Sequence, residues 1–141
     1  MTSSGTILIL ADDDPDDRLL TREAFEEAGY QGDFRFVEDG RQLLEYLDLS
    51  RKSLPGVILL DLNMPRMSGF EALRELKADP ALRSIPIIVL TTSSADEDVL
   101  RSYDLGGNSF ITKPASFAEL TGVAKRVISY WLETVKLPPQ H

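Results

Sequence analysis

The sequence predicts an α/β domain: a five-stranded parallel sheet, doubly wound by helices in a (βα)5 pattern, in strand order 2-1-3-4-5. Three observations predict it. Short apolar runs, several of them rich in β-branched residues, alternate five times with segments of helical periodicity. Most of these runs are apolar on both faces, as central strands covered by helices must be. The connections are short, and right-handed crossovers between such units place every strand's carboxyl end along one edge.

The elements follow in order. Thr6-Ile7-Leu8-Ile9-Leu10-Ala11 reads as a fully buried strand and ends in Asp12-Asp13-Asp14-Pro15-Asp16-Asp17. Asp14 before Pro15 suits an N-cap, and Asp16 and Asp17 complement the positive end of the helix that follows. That helix is expected from about Pro15 to Ala28, with Leu19, Leu20, Ala24, Phe25 and Ala28 on its apolar face and Gly29 at its end. Phe34-Arg35-Phe36-Val37 alternates more and suits an edge strand. Gly40 opens a second helix with Leu43, Leu44 and Leu47 on one side, and a polar loop, Ser50 to Gly56, leads to Val57-Ile58-Leu59-Leu60.

The third strand runs straight into Asp61, and Pro65 stops it. A third helix begins at Met67-Ser68-Gly69-Phe70, with Phe70, Leu73 and Leu76 expected inward and Asp79-Pro80 at its end. Pro86-Ile87-Ile88-Val89-Leu90 repeats the buried-strand pattern and terminates in Thr91-Thr92-Ser93-Ser94. Ser94 or Asp96 is expected to cap a fourth helix, about Asp96 to Leu105, which leaves Thr91 free. Ser109-Phe110-Ile111-Thr112 makes the fifth strand and precedes Lys113-Pro114.

The last helix is expected from Phe117 to about Leu137, where Pro138-Pro139 halts it, with Phe117, Leu120, Ala124, Val127 and Trp131 in one apolar line. A helix of about 20 residues spans about 30 Å, against about 17 Å for a five-residue strand. Its final turns, Tyr130 to Leu137, are therefore expected to overshoot the sheet. A second subunit is the expected cover for these apolar residues, with folding back onto the same domain as the alternative. The chain is expected to be one domain over residues 1–141, with its core at about 6–129 and the helix extension and tail at about 130–141.

Composition narrows the chemistry. The chain of 141 residues has no cysteine, which removes disulfides, thiolate nucleophiles and cysteine zinc sites. Its single histidine is His141, so a Ser/His/Asp triad or a histidine-ligated metal is not expected. A net charge of −8 argues against a nucleic-acid surface. No apolar stretch approaches a membrane span and the N-terminus lacks a signal core, so a cytoplasmic location is expected. Carboxylates, hydroxyls, amides and Lys/Arg remain.

The predicted topology gathers these at one rim. Asp12 and Asp13, Asp61, Thr91 and Lys113 each sit at the carboxyl end of a different strand, or just beyond it. In order 2-1-3-4-5 the first and third strands meet at the topological switch point, where ligands bind in open α/β sheets. Each residue also has a plainer explanation: a turn former, a solvated acidic run, a capping hydroxyl, a solvated cation. All of these would have to coincide on one edge. Three carboxylates, with the backbone carbonyl of Asn63 in reach, suit Mg²⁺ or Mn²⁺. A carboxylate is also a competent nucleophile towards phosphorus. Lys113 and the Thr91 hydroxyl suit the remaining phosphoryl oxygens. Without histidine in the body of the chain, the phosphoryl donor has to come from outside.

At these residues the chain resembles the response-regulator receiver domains of two-component signalling. The marks are Asp12-Asp13, Asp61 within Leu60-Asp61-Leu62-Asn63-Met64-Pro65, Thr91, Phe110 and Lys113-Pro114. The resemblance implies a flavodoxin-like fold and Asp61 as phosphoacceptor. It also implies Mg²⁺ held by Asp12, Asp13, Asp61 and the Asn63 carbonyl, Thr91 and Lys113 on the phosphoryl group, and Thr91 with Phe110 as a switch pair. A cis bond before Pro114 and slow self-dephosphorylation, rather than enzyme turnover, are implied as well. The ending Trp131-Leu132-Glu133-Thr134-Val135-Lys136-Leu137-Pro138, with Thr91-Thr92-Ser93, resembles the stand-alone regulators of phytochrome-type sensor histidine kinases. Those form homodimers through this part of the chain. Thr92 places bulk beside the phosphoryl site where many receivers carry Ala or Gly.

Three rival readings fare worse. An aspartate-nucleophile phosphatase of the haloacid-dehalogenase type needs a second acid two residues after Asp61, and that position is Asn63. A flavodoxin-like cofactor binder must receive a phosphate after the first strand, where Asp12-Asp13-Asp14 repels it. A DNA-binding regulator is not expected, because one receiver domain takes up the chain.

Overall fold

The computed structural model describes residues 6–139; the first five residues, Gln140 and His141 lie outside the described residues. Strands β1 (Ile7–Ala11), β2 (Asp33–Val37), β3 (Val57–Leu60), β4 (Ile87–Thr91) and β5 (Ser109–Thr112) form one parallel sheet in the order β2-β1-β3-β4-β5. Helices α1 (Pro15–Glu27), α2 (Gly40–Leu49), α3 (Gly69–Ala78), α4 (Asp96–Asp104) and α5 (Phe117–Val127) alternate with them. This is the doubly wound fold expected from the sequence.

Because side chains alternate along a strand, the sheet carries a core on each face. Ile9, Ile58 and Leu60 meet Leu43 and Leu47 of α2 and Leu73 and Leu76 of α3 on one side. Leu8, Leu10, Leu59 and Ile88 meet Ala24 and Phe25 of α1 and Leu120, Ala124 and Val127 of α5 on the other. Every residue of β3 and β4 is buried, as the unbroken apolar runs require. Asn108 locks β5 onto β4: its amide donates to the Ile87 carbonyl and its Oδ1 accepts the Ile87 amide, both at 2.8 Å.

Local chemistry fixes the helix starts. Asp14 Oδ1 accepts the amides of Asp16 (2.9 Å) and Asp17 (3.4 Å) with Pro15 just inside α1, as expected. Ser68 and Glu71 close a reciprocal capping box on α3. Gly29 takes the left-handed φ of +99° that ends α1.

Several local expectations are corrected. Leu19 and Leu20 are exposed, because α1 turns Thr21, Ala24 and Phe25 inward instead. Phe70 is only half-buried; the Arg101 guanidinium lies 4.1 Å from its ring centroid and covers it, while Ala72, Leu73 and Leu76 face the core. Phe117 is exposed at the start of α5. The N-cap of α4 is Ala95, without a side-chain cap bond; the Ser93 hydroxyl instead accepts the Ala95 amide (3.2 Å) and donates to Asp98 (2.7 Å). No peptide bond among the described residues is cis, the Lys113–Pro114 bond included.

The largest departure is at the end. The last helix is not α-helical to Leu137: α5 ends at Val127 and a π-helical segment, Ile128–Thr134, continues it before Val135 turns extended. Leu132 is buried, and Trp131 and Leu137 pack against the core that α1 and α5 share. Gly56 makes room, since a Cβ there would stand 3.0 Å from Leu137 Cδ1. The tail thus covers much of its own apolar surface, which is the alternative to a second subunit. Tyr130 stays exposed, stacked edge-on against Trp131.

Candidate phosphoryl and cation site

The site grows out of the strand ends. Asp12 follows β1 and is fully buried; its amide donates to the Val37 carbonyl (3.0 Å), its Oδ1 accepts the Asp14 amide (3.0 Å), and its carbonyl accepts Arg18 Nη1 (2.8 Å). Asp61 follows β3 and extends the ladder by one step, its amide donating to the Ala11 carbonyl (3.0 Å). That step brings its nearly buried side chain beside Asp12. The Asn63 amide donates to Asp61 Oδ1 (3.3 Å), which turns the chain sharply after the acid. Gly69 is needed there: its amide closes onto the Leu62 carbonyl (3.0 Å), and a Cβ would strike the Asp61 carbonyl oxygen and stand 2.7 Å from Leu62 Cα.

Lys113 enters from the far side. Its amide donates to the Thr91 carbonyl (2.7 Å), carrying the β4–β5 ladder one residue further. Its ammonium reaches Asp12 Oδ2 at 2.6 Å, Asp17 Oδ2 at 3.2 Å and Asp61 Oδ2 at 3.4 Å. Thr91 is fully buried, and its hydroxyl has no hydrogen-bond partner among the described residues. Phe110, two register steps back on β5 and opposite Val89, is half-buried.

Electrostatics at the cluster is strained in one direction. Burial pushes the Asp12 carboxyl up, and the nearby Asp61 charge adds to that, more than the Lys113 ammonium and the Asp14 amide pull it down. Burial alone lowers Lys113, but its bond to Asp12 and the charges of Asp61, Asp12 and Asp17 outweigh it and raise the pKa. One ammonium is therefore shared among three carboxylates.

Ligand oxygens of Asp12, Asp13 and Asp61 all lie within 4.8 Å of one another, with Asp13 exposed to solvent. Oxygen donors alone, in a cluster carrying more negative than positive charge, fit a hard divalent cation. The three side chains are placed to hold one. Of the residues singled out in the sequence, Asp12, Asp13, Asp61 and Lys113 come together directly. Thr91 and Phe110 lie on the adjoining strands β4 and β5, and Asn63 lies exposed on the loop two residues beyond Asp61.

Sequence reasoning missed three contributors. Asp17 complements the helix end as expected but is also a partner of Lys113; its position one turn into α1, five residues after Asp12, was the available signal. Arg18 ties down the Asp12 carbonyl. Asp39, fully buried at the start of α2, pairs with Arg66 on the loop after β3 (Nε to Oδ2, 2.7 Å).

A cleft of about 290 Å³ opens beside the cluster, walled by Asp17, Leu20, Thr92, Lys113, Ser116 and Phe117. Another of about 280 Å³ lies at the opposite end of the sheet, where Lys52 is the one charged side chain in a wall that includes Leu54, Gly56 and Leu137.

Comparison with known proteins agrees with this geometry. Residues 8–125 match the family model described as response regulator receiver domain. The probable methanogenesis regulatory protein FilR2 of Methanothrix harundinacea is 39% identical over 129 residues, 89% of this chain and 83% of that protein. Response regulator Rcp1 of Synechocystis sp. is 35% identical over 136 residues, 94% of this chain and 92% of that protein; an Mn²⁺-bound crystal structure of Rcp1 aligns with a TM-score of 0.84 at 34% identity, covering 95% of this chain and 99% of that one. The crystal structure of the phosphorylated cyanobacterial phytochrome response regulator RcpA aligns with a TM-score of 0.89 at 36% identity, covering 96% of this chain and all of that one. With its acidic trio, its bridging lysine and this likeness over nearly its whole length, the chain belongs to the response regulator receiver domain family.

Proposed function

We propose that the chain is a phosphorylation-controlled interaction module that accepts a phosphoryl group on Asp61. The observation that carries this reading is the Lys113 ammonium, held by Asp12 and Asp61 together, with the buried Thr91 hydroxyl at the end of the adjoining strand lacking a partner among the described residues. An Asp61 oxygen attacks phosphorus in line; the P–N bond to a kinase phosphohistidine breaks as the P–O bond forms, and its electron pair returns to the imidazole. Asp12, Asp13, Asp61 and the Asn63 carbonyl would hold Mg²⁺ or Mn²⁺, which when bound would neutralise charge on the transferring group. Lys113 turns from Asp12 towards the new phosphoryl oxygens, and the Thr91 hydroxyl finds there the acceptor it lacks. Thr91 moving towards the phosphoryl group frees space for Phe110 to turn inward, which alters the face formed by α4, β5 and α5.

The donor in this reading is a sensor histidine kinase of phytochrome type, supported by the likeness to Rcp1 and RcpA over nearly the full length of each. Residues 1–141 act as one receiver unit, the core at about 6–129 followed by the extension and tail at about 130–141. The phosphoryl group leaves by slow hydrolysis, so the chain is a signal carrier and not an enzyme. No helix among the described residues is long and apolar enough to cross a membrane, which accords with a cytoplasmic protein. The −8 net charge accords with a partner other than nucleic acid. A homodimer through the last helix and Tyr130–Leu137 fits the exposed Tyr130 ring and the apolar groove it lines with Ile111, Val123 and Trp131.

The experiment is labelling with a small phosphodonor in the presence and absence of Mg²⁺, read by intact mass. Wild type is expected to gain one phosphoryl group only with Mg²⁺, and Asp61→Asn to gain none. Full labelling of Asp61→Asn refutes the assignment.

A further inference from the structure

The end of β2 and the turn after it tie to the Asp12 backbone and to the loop that follows Asp61. On one side the Val37 carbonyl accepts the amide of Asp12 (3.0 Å). On the other the Gly40 amide donates to the Met67 carbonyl (3.0 Å), in the loop that leaves Asp61. That approach needs a residue without a side chain, since a Cβ at position 40 would stand 2.8 Å from Met67 Cγ and 2.9 Å from the Met67 carbonyl oxygen.

Asp39 sits between these two ties and is fully buried. One carboxylate oxygen accepts the Gln42 amide (2.9 Å) and caps α2; the other accepts Arg66 Nε (2.7 Å), with a second guanidinium nitrogen in ion-pair contact. Arg66 is the one non-glycine residue among the described residues with a positive φ, +63°. A side chain disfavours that conformation, so the surroundings must impose it. The Met67 amide donating to the Pro65 carbonyl across Arg66 (2.6 Å), the Gly40–Met67 bond and the Arg66–Asp39 fork do so.

We propose that Asp39 and Arg66 are positioning residues for the cation and phosphoryl site. Clamped to one turn, the Asp12 backbone and the Asp61–Met67 loop keep a fixed separation, and Asn63 lies within that loop. The proposal rests on reading Asp12, Asp13 and Asp61 as a cation site and extends it. Its sign separates it from simple electrostatics. Removing a positive charge near a cation site tightens cation binding through space, whereas loosening the loop weakens it.

The test is Mn²⁺ binding by the full chain without phosphodonor, followed by the loss of free-ion paramagnetic resonance signal. Arg66→Gly is the informative variant, because glycine adopts a φ of +63° freely and only the ion pair is lost; Arg66→Gln and Asp12→Asn accompany it. The expectation for Arg66→Gly and Arg66→Gln is Mn²⁺ binding weaker by about tenfold, the low end for outer-shell partners of metal ligands. The unfolding midpoint of Arg66→Gly in chelator should fall, because the fully buried Asp39 loses its cation, so Mn²⁺ binding is compared at a temperature where circular dichroism shows the variant fully folded. Equal or tighter Mn²⁺ binding by Arg66→Gly, with Asp12→Asn abolishing it, overturns the positioning role alone. Failure of wild type to bind Mn²⁺ overturns the site reading and this inference together.

Discussion

Replacing Lys113 by methionine keeps the apolar stem and deletes the charge. In wild type the Lys113 side chain is one-tenth exposed, and its ammonium meets a fully buried Asp12 at 2.6 Å and a nearly buried Asp61 at 3.4 Å. The substitution leaves two buried carboxylates facing each other without a cation. Breaking a buried pair from one side costs about 3–5 kcal/mol. Asp17 is more than one-third exposed and adds little. Asp12, its pKa already raised by burial, relieves part of the penalty by taking up a proton, so about 3 kcal/mol is the working figure. For a chain of this size that is a fall of about 10 °C in melting temperature. The assay is thermal unfolding by circular dichroism, in chelator and then in Mg²⁺. Mg²⁺ at about 100 times its dissociation constant returns about 2.7 kcal/mol to whichever protein binds it. It should help the methionine variant more than wild type, because Lys113 no longer competes for Asp12. A variant as stable as wild type in chelator, or one that gains no more from Mg²⁺ than wild type does, refutes the reasoning.

The remaining predictions use other parts of the same geometry. Thr91→Val deletes a buried hydroxyl without a partner and is expected to stabilise the unphosphorylated protein by about 1 kcal/mol in urea unfolding. It should also abolish any phosphorylation-dependent shift of the Phe110 ring resonances. In chelator, stability should fall as pH rises from the ordinary carboxyl value of 3.8 through the raised pKa of Asp12, because the native state holds that proton more tightly than the unfolded chain; Asp12→Asn should flatten this stretch of the urea-derived profile. In the proposed homodimer, Tyr130→Ser should weaken self-association in sedimentation with little loss of stability. Leu132→Ala, at a buried position, should cost about 2–3 kcal/mol in unfolding whether or not a dimer forms.

The sheet was legible because it rests on the strongest local signal, apolar runs long enough to be buried on both faces. β3 shows why: four apolar residues and then an acid leave little freedom in where the strand ends. Asp12, Asp61 and Lys113 were legible through topology, since parallel strands bring their carboxyl ends to one edge whatever the loops do. What escaped depends on side-chain reach across elements. Leu19 and Phe117 fit the helical period, yet the edges of α1 and α5 that carry them stay exposed. The Asp39–Arg66 pair joins residues 27 positions apart, and nothing in either segment's local pattern announces the other. The π-helical ending resembles an ordinary helix in composition; the extended Val135 and the return of Leu137 to the notch at Gly56 show that the chain changes direction.

Asn108 stands five residues before Lys113, at the far end of β5, and its side chain imitates a peptide group against Ile87. Along a strand, sliding by one position turns every outward group inward. An amide at one end of a four-residue strand therefore decides which way the ammonium points at the other. The charge balance of the acidic rim is thus inherited from a neutral residue a whole strand away, and damage to that residue would surface first as faulty phosphate chemistry.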